Sequence, residues 1–214
     1  MRLSAAFAVF TALLIAALPM AQAETLSSTT MTGAVAPLPA AKLSMHDFES
    51  GTILRLDGII TPEIVRQFDQ MIAAVPAGRP LIIELSSPGG YTTAGYSMID
   101  RIMQEREAGR PVASAVRGGE SCESMCVGLF MAGYPRYAAP DAQFMVHAPR
   151  GLNSGVITVK STGRMIDRLI ALGASAAWIE QVKSAGGFSG RVDYRITAAE
   201  LAQNGANVVT TLVP

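Results

Sequence analysis

Apolar residues recur at helical spacing in some segments of this chain and form continuous runs in others. These two patterns predict alternating helices and strands. Ile64, Phe68 and Ile72 recur at helical spacing behind Pro62, a residue suited to the first turn of a helix. The run over residues 80–85 is nearly all apolar, which is typical of a strand covered on both faces. The patterns together predict strands over 53–56, 80–85, 112–116, 143–146 and near 208–209, and helices over 62–75, around 98–103, and over 124–132, 157–172 and 174–183.

Strands that alternate with helices of this length favour βαβ units. The predicted fold is therefore α/β, with a mostly parallel sheet and flanking helices. A capping box formed by Thr197 and Glu200 predicts a last short helix, which Gly205 closes. We assign residues 46–214 to this domain.

The N-terminal residues have a different composition. Arg2, an apolar run over residues 5–18 and small residues up to Ala23 are typical of a secretory signal peptide, residues 1–23, cleaved after Ala23. The run is shorter than the roughly 20 residues of a membrane span, so a retained anchor is the less favoured alternative. Residues 24–45, rich in Ser, Thr, Ala and Pro, predict a flexible tether. We expect a periplasmic or secreted protein with no membrane span after cleavage.

Composition excludes several classes of function. The chain of 214 residues has 17 Lys and Arg, 17 Asp and Glu, two His and two Cys. Zero net charge provides no basic surface to neutralise a phosphate backbone, so we expect no nucleic-acid partner. Two His and two Cys cannot complete a four-ligand zinc site without carboxylates. We therefore expect no metal, and the sequence indicates no other cofactor.

Three candidate features follow predicted strands, where ligand sites of parallel α/β sheets collect. The first is Pro88-Gly89-Gly90, after the strand over 80–85. Glycines there let the backbone approach a ligand closely and leave N–H groups to face an oxyanion. The alternative is a plain turn, which this composition forms more often than a site.

The second feature is a serine at the entry to an apolar helix. Ser124 lies at the positive end of the helix dipole, and the Met125 amide is one of the unpaired donors of the first turn. A serine in this place is a candidate nucleophile, and the alternative is a simple N-cap.

The third feature is His147, at the end of the strand over 143–146. The other histidine, His46, lies beside the tether, so His147 is the candidate base for a serine nucleophile. Such a base needs an acceptor that fixes its tautomer. Asp193 is the best placed, because it lies outside any strong helix pattern, in contrast to the other candidates Asp167, Glu180 and Glu200.

Four segments, in order, resemble the proteolytic subunit of Clp proteases, within the wider ClpP/crotonase superfamily. They are the apolar strand and Ser-Pro-Gly-Gly turn of residues 81–95, the helix entry at Ser124-Met125, residues 145–149 around His147, and residues 193–205. The resemblance extends from about Thr52 to the C-terminus.

This resemblance implies a ClpP/crotonase-like fold, a repeated ββα/βαβ spiral, that assembles into homo-oligomeric rings and takes a peptide or protein substrate. It implies a triad in which Ser124 is the nucleophile, His147 the base and Asp193 the residue that orients the base. The oxyanion hole would be formed by the amides of Met125 and of Gly89 or Gly90.

The chain departs from the family pattern over residues 147–164. This stretch corresponds to the helix that joins two rings in the family, and here it is shorter by about two helical turns. The double ring is therefore not carried over. An exported protein also has no access to ATP-driven cytoplasmic partners, so we expect no ATPase partner.

Cys122 and Cys126 lie on either side of Ser124. At positions i and i+4 of a helix their Cβ atoms would be about 6 Å apart, near the upper end of what a disulfide tolerates. In an oxidising compartment we expect a disulfide that holds the serine turn rigid. Two small buried thiols are the alternative.

These features lead to one main hypothesis of function, an exported, ATP-independent serine peptidase of the Clp type. The alternative is a catalytically silent scaffold that keeps the fold for self-assembly. Crotonase-like acyl-CoA chemistry uses the same kind of backbone oxyanion hole, but acyl-CoA is not expected outside the cytoplasm.

Overall fold

The structure is a computed structural model that describes residues 41–151 and 154–214. The predicted signal peptide and residues 24–40 of the predicted tether lie outside the described residues. Within the described ranges, no helix is both long and apolar enough to span a membrane.

Nine strands and six helices are found in these ranges. In chain order they are β1 (Lys42–Phe48), β2 (Gly51–Asp57), α1 (Pro62–Ala74), β3 (Leu81–Ser86), α2 (Thr92–Glu107), β4 (Val112–Val116), β5 (Ser121–Glu123), α3 (Met125–Ala132), β6 (Arg136–Ala138), β7 (Gln143–Val146), α4 (Val159–Ala171), α5 (Ala176–Ser184), β8 (Tyr194–Thr197), α6 (Ala198–Gln203) and β9 (Thr211–Leu212).

Two sheets organise the domain. The larger has the order β1-β2-β3-β4-β6-β9, and every pair in it is parallel except the antiparallel β1 and β2. The smaller has the order β5-β7-β8, with β5 parallel and β8 antiparallel to β7. A single parallel bridge between Ser87 and Cys122 links the loop after β3 to the smaller sheet. The predicted α/β class with a mostly parallel sheet and flanking helices is confirmed.

The two edge strands of the larger sheet differ from the predictions. The tether was expected to reach residue 45, but β1 begins at Lys42, because this segment pairs with β2 along its whole length. The last strand was expected near 208–209, but β9 comprises Thr211–Leu212. Val208 and Val209 are buried without joining a ladder, so their apolar character reflects packing and not strand pairing.

Glu84 interrupts the apolar run of β3, and its environment explains how the strand stays buried. The residue is 5% exposed, and its carboxylate accepts from Arg55 Nη1 and from Arg117 Nε, each at 2.7 Å. A buried carboxylate is tolerated when it is paired and hydrogen-bonded in this way.

Helix α3 forms the centre of the core. All eight of its residues are buried, as is typical of a helix that is apolar on every side. Phe130 of α3 packs against Phe144 of β7 with ring centroids 5.0 Å apart. Truncation of such an aromatic side chain typically costs about 3–5 kcal/mol. The core thus fixes the position of α3 and of the turn that leads into it.

Candidate active site

The candidate nucleophile and the candidate base follow two neighbouring parallel strands. β5 pairs with β7 so that Glu123 lies beside Met145. The Ser124 N–H extends this ladder by donating to the Met145 carbonyl at 2.7 Å. Ser124 directly follows β5 and His147 directly follows β7, so parallel pairing brings both residues to the same edge of the small sheet.

Ser124 has an unusual backbone conformation, with φ 55° and ψ −119°. Among the described residues, the only other non-glycine residue with positive φ is Asn207. The Ser124 side chain accepts no capping hydrogen bond from α3, so it does not act as a simple N-cap. A residue held in so sparsely populated a region costs about 1–3 kcal/mol, and such strain is concentrated at functional sites.

The predicted disulfide between Cys122 and Cys126 is present, with Cα atoms 5.1 Å apart. The expected placement of both cysteines on one helix was wrong, because α3 begins only at Met125 and Cys122 belongs to β5. The disulfide therefore joins β5 to the first turn of α3, and Ser124 lies midway between the two cysteines. Both cysteines are fully buried.

The backbone amides of the glycine turn differ in availability. Gly89 N donates to Ser87 Oγ at 3.0 Å, so this amide already has a partner. Gly90 N and Met125 N, by contrast, have no acceptor among residues 41–151 and 154–214. Gly90 is exposed, whereas Gly89 is buried. Of the two glycines that the sequence left open, Gly90 thus has the amide that is free to bind an oxyanion.

Gly89 instead lets the turn approach the nucleophile. It has φ +90°, and a Cβ atom built on it would lie 2.8 Å from Ser124 Cβ and 3.0 Å from Met125 N. Only a glycine combines this conformation with so close a contact. The Pro-Gly-Gly segment therefore packs directly against the serine turn.

Ser124, Met125, Gly90 and His147 line one cavity of about 190 Å³, to which Arg150 also contributes. The cavity is thus lined by the candidate nucleophile, by the candidate base and by the two residues that have free amides. This grouping is what acyl transfer by a serine nucleophile requires.

His147 is half-buried, and its ring makes one hydrogen bond in the described part of the chain. Nδ1 lies 2.8 Å from the Ala148 carbonyl oxygen. Because a carbonyl only accepts, this contact assigns the proton of the neutral ring to Nδ1 and leaves the Nε2 lone pair to accept a proton. The pKa of His147 lies below its ordinary value, because burial and the nearby Arg150 cation both disfavour the charged ring.

Asp193 lies close to His147 but is bonded elsewhere. In the antiparallel register Val146 faces Tyr194, so His147 faces Asp193 one step further along. Asp193 Oδ1 accepts from Arg150 Nη2 at 2.8 Å. Within the described residues, His147 is hydrogen-bonded to neither Asp193 nor Ser124. Asp193 acts on the ring through space, since its charge, like that of Glu123, raises the pKa of His147 and partly offsets burial.

The structure also corrects the position of His46. This residue was expected beside the tether, but it belongs to β1, where it is exposed and faces Ile53. It does not line the cavity that contains Ser124.

Sequence reasoning missed Arg150. Arg150 forms an isolated antiparallel bridge with Ile157, and its guanidinium donates to Asp193 Oδ1, which lies more than 40 residues away along the chain. A cation three residues after the candidate base was the one local signal for it. In the described ranges, no group of three or more His, Cys, Asp or Glu side chains is placed to hold a metal ion.

Comparison with known proteins identifies relatives of this domain. A model of the Clp protease family matches residues 55–174, which include Ser124 and His147 and end before Asp193. The ATP-dependent Clp protease proteolytic subunit 1 of Chlamydia muridarum is 32% identical over 85 residues, 40% of this chain and 42% of the relative. That of Protochlamydia amoebophila is 30% identical over 100 residues, 47% of this chain and 46% of the relative. The matches thus span less than half the length of these relatives.

A solved structure shares the fold. A mutant of ClpP1 from Listeria monocytogenes superposes with a TM-score of 0.58 at 19% identity, over 75% of this chain and 90% of the other. The family model covers more than half of the sequence, and the chain belongs to the Clp protease family.

Proposed function

We propose that this protein is an exported, ATP-independent serine peptidase that hydrolyses peptide bonds with Ser124 and His147. The observation that carries the proposal is the left-handed Ser124, which shares a cavity of about 190 Å³ with His147 and Gly90. A nucleophile, a base with a free ring nitrogen and unpaired backbone donors are the minimum set for acyl transfer. Membership of the Clp protease family supports the same chemistry.

In this mechanism Ser124 Oγ attacks the peptide carbonyl carbon while His147 Nε2 takes the hydroxyl proton. The carbonyl electrons move to oxygen, and the amides of Gly90 and Met125 stabilise the resulting anion. When the intermediate collapses, the C–N bond breaks and His147 returns the proton to the leaving amine. Water then hydrolyses the acyl-enzyme by the same steps. Loss of one oxyanion donor typically costs 10²–10³ in kcat.

Two groups are positioned to orient His147. The Ala148 carbonyl binds Nδ1–H at 2.8 Å, and we assign Asp193 the role of stabilising the charged ring once Arg150 releases it. Because Arg150 and Asp193 are about 40% exposed, their ion pair is worth little and can exchange partners. Catalytic hydrogen bonds are often long in free enzymes and tighten when substrate binds.

We also propose that the protein acts as a homo-oligomer. Val159 of α4 is 92% exposed and Val156 is 58% exposed, beside a groove of about 490 Å³ lined in part by Ile157 and Ile166. Apolar side chains grouped on a surface in this way favour association. Export to an oxidising compartment is supported by the disulfide, and it underlies the proposal that no ATPase takes part.

A catalytically silent scaffold is the second candidate function. The ion pair between Asp193 and Arg150 favours it, because this pair leaves His147 without its expected carboxylate partner. The two candidates differ in whether Ser124 reacts.

The first prediction concerns Ser124 itself. A fluorophosphonate probe should label the purified protein on Ser124, and Ser124→Ala and His147→Ala should each lose the label, because one removes the nucleophile and the other its base. Labelling is measured by mass spectrometry on each oligomeric species separated by gel filtration.

Absence of label on every species contradicts the peptidase proposal. In a deletion strain, restoration of the phenotype by Ser124→Ala would favour the scaffold, and failure by this folded variant would exclude it.

The second prediction uses two glycines with similar positive φ. Alanine at Gly109 (φ +86°) should cost about 1–2 kcal/mol of stability from backbone strain, and alanine at Gly89 (φ +90°) should cost more, because its Cβ would also lie 2.7 Å from the Glu123 carbonyl oxygen. Only Gly89→Ala adds a methyl group against Ser124, and it should slow probe labelling at least tenfold, whereas Gly109 has open space around it. Thermal unfolding and labelling rates measure the two effects, and equal labelling rates would contradict this geometry.

The third prediction concerns pH. Because the pKa of His147 is lowered, the acid limb of kcat/KM should have its midpoint below the ordinary histidine value of about 6.5. Arg150→Gln removes a cation that lowers this pKa and frees Asp193, which raises it, so the limb should move to higher pH. Arg66→Gln, at an exposed position of helix α1, is the control. A limb that does not move in Arg150→Gln would argue against His147 as the base.

The fourth prediction tests export. Full-length protein in a Gram-negative host should be found outside the cytoplasm, cleaved after Ala23, with Cys122 and Cys126 resistant to alkylation after denaturation. Deletion of residues 2–23 should leave it in the cytoplasm with both thiols alkylated. Intact mass measures both outcomes, and an uncleaved cytoplasmic full-length chain would refute export.

A further inference from the structure

A second, smaller cavity lies beside the cleft of Ser124. It holds about 10 Å³, and Ser124, Met125, His147 and Met165 line both it and the larger cleft. Its remaining walls are mostly apolar and include Leu169. When an acyl group is attached to Ser124, the side chain next to the reacting carbonyl has this pocket within reach.

The pocket walls can adapt to a side chain. Met125 and Met165 are unbranched and flexible, and such residues fill irregular gaps and repack readily. Gly95 provides the space that Met125 occupies, since a Cβ on Gly95 would collide with the Met125 side chain. A Cβ on Gly128 would crowd Ile99 at 3.0 Å. Rotation of the Met125 and Met165 side chains is therefore the means by which the pocket can enlarge for a substrate side chain.

Two polar groups differ from the apolar walls. Tyr96 Oη is buried and has no hydrogen-bond partner in the described ranges, and the same is true of Arg168 Nε. Both residues line the pocket. The Arg168 guanidinium stacks over the Tyr96 ring, with Cζ 5.7 Å from the ring centroid, and pairs through Nη2 with Asp100. A buried donor without an acceptor is costly, so each such group calls for an explanation.

The charges around Tyr96 favour an acceptor. The positive charges of Arg164 and Arg168 both act on its hydroxyl, and Arg168 is itself paired with Asp100. Burial is the larger effect and raises the pKa of Tyr96, so the hydroxyl remains protonated at neutral pH and acts as a donor.

Building on the proposed function, we infer that this pocket binds the side chain of the residue whose carbonyl Ser124 attacks. Tyr96 and Arg168 select a side chain that ends in an acceptor oxygen, which is glutamine or glutamate. The methylene groups of these side chains pack between the methionines, and the terminal oxygen accepts from Tyr96 Oη and Arg168 Nε. A site built to hydrogen-bond a substrate group rejects analogues that lack it.

The test uses fluorogenic peptides that are identical except for glutamine, glutamate, methionine or leucine before the scissile bond. Wild-type kcat/KM should be at least tenfold higher for glutamine and glutamate than for leucine. Tyr96→Phe should reduce this ratio to about twofold or less, because the rates for glutamine and glutamate fall much more than the rate for leucine. Arg168→Met should lower the rate for glutamate more than that for glutamine, because it also removes the cation.

Tyr137→Phe, which removes a hydroxyl in β6 away from the pocket, is the matched control and should keep the wild-type ratio. Wild-type preference for leucine or methionine overturns the inference whether or not the variants fold, and so does an unchanged ratio in folded Tyr96→Phe. If Ser124 takes fluorophosphonate but shows no preference for an acceptor, the inference alone fails. If Ser124 takes no probe and no peptide is cleaved, the proposed function fails, and this inference fails with it.

Discussion

The rest of the site depends on the left-handed conformation of Ser124. This residue joins β5, which is held by the parallel ladder to β7, to α3, which is buried on all sides. Neither element can move to relieve the strain without losing ladder hydrogen bonds or core packing, so the fold maintains a conformation that an isolated peptide would avoid. The Cys122–Cys126 disulfide closes the same turn covalently. The backbone at Gly89 packs directly against Ser124.

The electrostatics of the site follow from competition between a few groups. His147 loses affinity for protons through burial and through Arg150, and regains part of it from Asp193 and Glu123. Arg150 also forms an ion pair with the carboxylate of Asp193, while the Ala148 carbonyl accepts a hydrogen bond from Nδ1 of the His147 ring. A backbone carbonyl therefore fixes the tautomer, and the exposed ion pair determines how strongly the charged ring is stabilised.

Much of the fold was predictable, because long segments with regularly spaced apolar residues indicate which positions of a helix or strand are buried. The strands over 112–116 and 143–146 and the capping box at Thr197 were located correctly. The strands that were missed are either short, such as β5 and β6 with three residues each, or at the sheet edge, such as β1. Three residues are too few to show a period, and an exposed edge strand lacks an apolar run.

The sequence by itself indicated the alternation of strands and helices, the glycine turn, Ser124 at a helix entry, His147 at the end of a strand and Asp193 outside the helix patterns. These properties depend on local periodicity and on residue chemistry, which the chain carries without its fold. Only the tertiary structure decided that Arg150 holds Asp193, that Gly90 and not Gly89 has a free amide, and that Tyr96 lies beside the nucleophile. Each of these depends on the relative placement of side chains and backbone after packing, and no local pattern encodes that placement.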